Sequence, residues 1–112
     1  MKGTYLGEFE EVVLLSIAIL GNDAYGISIK DEIKKRLKRE PSIGALHSAF
    51  SRLEEKGFID SREGETAPER GGRRKLYYCI TKSGVRALEK SRELRNSMWN
   101  AIPSLIIDWK KS

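Results

Sequence analysis

Cysteine is almost missing from this 112-residue chain: Cys79 stands alone. A single cysteine excludes an internal disulfide and a cysteine-based metal site, and it suits a reducing compartment such as the cytoplasm. Within "KLYYCIT" it is expected to sit as a small buried hydrophobe rather than a reactive thiol. Histidine is equally scarce, and His47 has no second imidazole to join it in a metal or catalytic pair. No nucleophile is accompanied by a base, and no glycine loop that would cradle phosphate opens a helix. Neighbouring acids such as Glu54 and Glu55 point about 100° apart on a helix, so they form no carboxylate dyad. The chain is therefore not expected to be an enzyme or to carry a cofactor. Long apolar runs are lacking too. "VVLLSIAIL" falls far short of the roughly 20 residues a bilayer span takes, and no membrane partner is expected. Glu8, Glu10 and Glu11 stand before it where a secretory leader carries cations, and "GNDAYG" after it offers no cleavage site. There are no repeats and no low-complexity tract.

Positive charge is present in excess. Lys and Arg total 21 against 16 acids, giving a net charge of +5 and a pI near 9.4. That balance favours an anionic partner such as nucleic acid, and the placement of the charge matters more than its sum. The length suits one domain with a terminal extension, and a core this small gains from association.

The first helix is expected from about Gly7 to Leu20. It is apolar nearly all the way round, so it is buried on more than one side, and one of those sides would be a partner subunit. A second helix runs from Tyr25 or Gly26 to Leu37, with Ile29, Ile33 and Leu37 as its inward stripe. Its Lys30, Lys34, Lys35, Arg36, Lys38 and Arg39 have an ordinary explanation as a solvated, dipole-complementing face. Pro41 breaks the chain and Ser42 caps a third helix that reaches about Lys56. Leu46, Ala49, Phe50 and Leu53 line one face of it. Gly44, Ala45, His47, Ser48, Ser51 and Arg52 line the other. "FIDSREGE" and "KLYYCIT" read as two strands joined through "TAPERGGR", a hairpin. Thr81 caps a last helix whose apolar residues include Val85, Leu88, Leu94, Met98, Trp99, Ile102, Leu105, Ile106 and Trp109. Pro103 must kink it, end it or start a new segment.

Helix, helix, helix, hairpin, helix is the order of a winged helix-turn-helix: a mainly α fold with a small β-hairpin. Residues 1–81 would form the DNA-binding domain and 82–112 a C-terminal dimerisation helix, kinked or broken near Pro103. The third helix carries short side chains that a major groove about 12 Å wide admits. The hairpin tip sets Arg70, Arg73, Arg74 and Lys75 against the single acid Glu69. Such a wing can lie on the phosphate backbone or reach a minor groove. Its bland alternative is a solvated hairpin whose charge resists edge pairing.

"LGEFEEVVLLSIAILGNDAYGISI", "SIGALHSAFSRLEEKGFIDS" and "ERGGRRKLYYCITKSG" together resemble the PadR family of bacterial transcriptional regulators, over roughly Leu6 to Leu88. "AYG" opening helix two, paired with "GGRRKLYY" on the wing, is the specific part. The resemblance implies a homodimeric repressor of promoters, bound to double-stranded DNA, with a C-terminal dimerisation helix; two copies on a two-fold axis would read a palindromic operator. It places Tyr25 near phosphate. It puts Ser42, Gly44, His47, Ser48, Ser51 and Arg52 on the recognition helix, where the family usually has tyrosine in place of His47. Arg70, Gly72, Arg73, Arg74, Lys75 and Tyr77 fall on the wing. Val12, Leu15, Leu94, Met98, Trp99, Ile102, Leu105 and Ile106 are the corresponding dimer-interface candidates. Small family members can hold a flat aromatic effector between C-terminal tryptophans. Trp99 is the nearest counterpart, over a turn later than the family position, which Leu94 approaches more closely. A winged-helix module that binds protein instead of DNA is the competing function.

Overall fold

The computed structural model describes residues 5–66, 71 and 74–111. Helix α1 spans Glu8–Leu20 and runs into a short 3-10 turn, Gly21–Asp23; α2 spans Gly26–Leu37 and α3 Ile43–Glu55. Strands β1, Ile59–Thr66, and β2, Arg74–Ile80, form an antiparallel hairpin. Helix α4 covers Lys82–Asn100 and α5 Ser104–Lys111, with Pro103 in the break between them.

Local chemistry explains the joints. Ser42 Oγ accepts the Ala45 amide at 3.1 Å and caps α3. Gly57, at φ 79°, closes the other end: its amide reaches Glu54 O at 3.0 Å, and the Phe58 amide reaches Leu53 O at 2.9 Å. This paired closure satisfies carbonyls the last turn would leave open. Thr81 Oγ1 accepts the Gly84 amide at 3.0 Å and donates to Gly57 O at 2.7 Å, so one hydroxyl caps α4 and pins it to the end of α3.

The core lies where α1, α2, α3 and the base of the hairpin meet. Val13, Leu14 and Ile17 pack with Ile29, Ile33, Leu46, Ala49, Phe50, Leu53, Phe58, Ile59 and Tyr78. The Phe50 and Tyr78 rings stack with centroids 4.3 Å apart. The winged architecture expected from the order of elements is what the chain adopts. Two details differ. Leu37 is 47% exposed, so the inward stripe of α2 stops at Ile33. Lys38 takes a left-handed φ of 56° and turns the chain away one residue later. Cys79 is exposed rather than buried. Strand alternation turns Tyr78 into the core, and Cys79 faces the opposite side of the ribbon.

One connection has no counterpart in the sequence pattern. The Tyr78 amide donates to Ala24 O at 2.8 Å, and Tyr25 forms an isolated antiparallel bridge with Tyr77. The residues just before α2 thus act as a third edge of the hairpin sheet. Among the described residues no helix is long and apolar enough to cross a membrane, and no group of side chains could hold a metal ion.

Candidate nucleic-acid interface

Helix α3 offers a narrow strip opposite its core line. Gly44, Ser48 and Ser51 recur at helical spacing on that strip, with Ala45 and His47 beside it, and all five are exposed. A Cβ built at Gly44 would meet nothing within 4 Å, so no internal contact requires glycine there. The His47 ring sits edge-on to Phe50 at 5.9 Å. Ser42 is exposed, with its hydroxyl engaged in the cap.

Arg52 behaves differently from its neighbours on α3. Its Nε lies 2.9 Å from Glu10 Oε2, while Lys56 Nζ lies 2.6 Å from Glu10 Oε1. Glu10 is 8% exposed, and it also receives the Gly7 amide at 3.4 Å. Burial pushes the Glu10 carboxyl up. The Lys56 hydrogen bond and charge, the Gly7 amide and the Arg52 hydrogen bond outweigh it and hold the group below its ordinary value. The acid in the first turn of α1 thereby ties that helix to the last turn of α3.

At the hairpin base, Tyr25 caps α2, and its amide donates to Ser28 Oγ at 2.9 Å. Its ring meets Tyr77 edge-on with centroids 5.4 Å apart. Lys75 Nζ lies 4.3 Å from the Tyr25 ring centroid, and Arg62 Cζ lies 4.8 Å from that of Tyr77. Arg74 Nε is 4.0 Å from Glu63 Oε2, an exposed pair that water screens. Arg70, Gly72 and Arg73 lie outside the described residues. The structure brings Tyr25, Lys75 and Tyr77 together and turns Arg52 toward α1. It also adds Arg62, which an irregular strand pattern in "FIDSREGE" gave no reason to single out.

Several cations of α2 and of the turn after it are paired. Lys34 pairs with Glu40 at 2.6 Å, Arg39 with Glu8 at 2.8 Å, and Arg36 with Glu32 one turn earlier.

Helices α4 and α5 carry a second surface. Leu94, Met98, Trp99, Leu105, Ile106 and Trp109 are exposed, Met98 and Leu105 at 75% and 77%, and Ile102 is half-buried. On α1, Leu15 and Ile19 are exposed and Val12 half-buried. Arg95 of α4 reaches Glu11 of α1 at 2.7 Å and joins the two helices.

Three helices, an exposed short-chained strip on the third and a hairpin that carries cations define a winged helix-turn-helix protein. Residues 14–90 match the family described as the transcriptional regulator PadR-like family, and the chain belongs to it. It is 45% identical over 58 residues to an uncharacterised HTH-type transcriptional regulator of Methanocaldococcus jannaschii. That match covers 52% of this chain and spans half the length of the relative. Among solved structures, a transcriptional regulator from Clostridium thermocellum is 29% identical with a TM-score of 0.67, over 84% of this chain and 86% of that one. A PadR family regulator from Clostridium difficile shares the fold at a TM-score of 0.68 and 21% identity, over 88% of this chain and 98% of that one.

Proposed function

We propose that the chain binds double-stranded DNA as a homodimer and represses transcription from a palindromic operator. The observation that carries this reading is the exposed strip Gly44, Ser48 and Ser51 on α3, together with a hairpin that bears Arg62, Arg74 and Lys75 along its strands. The strip holds no long side chain, so α3 can lie close in a major groove while the hairpin meets phosphate. Tyr25 stands at the start of α2, where the positive end of the helix dipole also favours phosphate. The apolar face of α4 and α5 supports pairing of two copies, which would place two α3 helices about one helical turn of DNA apart or a multiple of it.

The test is fluorescence anisotropy against DNA from just upstream of the protein's own gene, with a scrambled duplex as control, over a salt series. About six neutralised phosphates give a slope near −5 in log K against log salt. Arg73→Ala/Arg74→Ala is expected to lose affinity and flatten the slope. Failure to bind any duplex at low salt overturns the reading in favour of a protein-interaction module. Trp99 serves as the reporter for an aromatic effector: a planar aromatic compound that quenches it and releases DNA would make the regulator ligand-responsive.

A further inference from the structure

We infer that a four-membered row of side chains, Arg62, Tyr77, Tyr25 and Lys75, sets the pitch of the hairpin against α2, and that Gly64 and Tyr77 are positioning residues for the cations it presents. This rests on the DNA-binding reading above.

The row follows from strand register. Arg62 of β1 is the direct partner of Tyr77 of β2, and Tyr25 bridges Tyr77 from the other edge. Three neighbouring strand positions therefore put Arg62, Tyr77 and Tyr25 side by side on the outer face of the sheet. Lys75, two residues before Tyr77, shares that face. The rings meet edge-on at 5.4 Å and 64°, within the range where aromatic pairs attract. A cation covers each ring, Arg62 at 4.8 Å and Lys75 at 4.3 Å.

Gly64 makes room for the row. A Cβ at that position would lie 2.3 Å from Tyr77 Cε2 and 2.7 Å from Cδ2, so the Tyr77 ring lies directly over the backbone of β1. Any side chain at residue 64 must displace the ring or the strand.

The hairpin needs such an anchor. A two-stranded ribbon is marginal in water by itself. Phe58, Ile59 and Tyr78 root its base in the core, but Leu76, further out on the core side, is already exposed. Between Tyr78 and Leu76, on the opposite face, the row joins the ribbon to the body. It also holds the Lys75 ammonium beside Tyr25, the cap of α2, so the hairpin charge and the positive end of that helix move as one surface.

The experiment compares Tyr77→Phe, Tyr77→Leu and Gly64→Ala with wild type, by DNA anisotropy over a salt series and by circular-dichroism melting. Tyr77→Phe keeps the ring and is expected to bind as wild type does. Tyr77→Leu and Gly64→Ala are expected to weaken binding about tenfold and to flatten the salt slope by about one for each phosphate no longer neutralised. Gly64→Ala removes no charge and no hydrogen-bond donor, so its weaker binding reports position. It decides the matter alone if Tyr77→Leu melts early. Wild-type affinity and slope in Gly64→Ala would overturn the inference. So would a Tyr77→Phe defect as large as that of Tyr77→Leu, which would make the hydroxyl touch DNA directly. If the wild type binds no duplex at low salt, the DNA reading itself falls.

Discussion

The Arg52 guanidinium lies 2.9 Å from the carboxylate of Glu10, so the one arginine of α3 turns back onto α1. Glu10 is nearly buried and holds Lys56 at the same time. Removing its charge leaves Lys56, itself largely covered, without that carboxylate. Glu10→Gln is expected to cost about 1–3 kcal/mol of stability. The pH dependence has a definite sign. The folded pKa of Glu10 is depressed, so its contribution is complete above the unfolded carboxylate pKa and is lost as pH falls through the folded one. Melting curves of wild type and Glu10→Gln should therefore converge on acidification. A gap that stays constant from neutral to acidic pH would contradict the ion-pair account.

Two glycines give opposite expectations. A Cβ at Gly84 would lie 2.3 Å from Phe58 O and 2.7 Å from Ile80 Cγ1, where the first turn of α4 crosses the end of the hairpin. Gly84→Ala must shift α4 and is expected to destabilise by about 1–3 kcal/mol. Gly44 faces open space. Gly44→Ala should leave the melting temperature unchanged or raise it, by up to about 1 kcal/mol of stability. The same substitution is expected to weaken DNA binding, because the new methyl stands where α3 would approach the groove. Equal melting shifts for the two variants would show that neither glycine is placed for the reason given.

The apolar face of α4 and α5 leads to a prediction about assembly. Met98 and Leu105 are too exposed for their size to serve a monomer's core. A charged residue at either position should block burial against a second copy. Met98→Glu/Leu105→Glu is expected to sediment as a monomer at micromolar concentration while wild type sediments as a dimer, with helical content retained. A monomeric wild type would remove this role from the C-terminal helices.

Cys79 supplies a chemical check on the hairpin. It is exposed on the outer face of β2. A thiol reagent such as an aromatic disulfide should modify it in the native protein without denaturant. Protection until unfolding would mean that a second copy covers this face.

The regular elements were legible because their signals are local. Ser42 and Thr81 mark helix starts through their own hydroxyls, Gly57 marks a stop through a backbone conformation that side chains disfavour, and Leu46, Ala49, Phe50 and Leu53 repeat at helical spacing. Fold class follows from the order of such elements. Leu37 and Cys79 stand elsewhere than expected because periodicity assigns a face but does not say where the core ends along it.

By itself, then, the sequence determined the helices, the hairpin, the winged order and the cationic turn, since propensity, capping and alternation act over a few residues. Only the tertiary structure decided which charges are available and which rings meet. Glu10 and Arg52 stand 42 positions apart, and Tyr25 and Tyr77 lie on separate elements. No pattern within a single element records such a meeting, because it depends on how the core packs the helices against the hairpin. That packing drew Arg52 onto Glu10 of α1, gave Tyr77 a partner in Tyr25, laid the Tyr77 ring over Gly64 and set Arg62 against that ring.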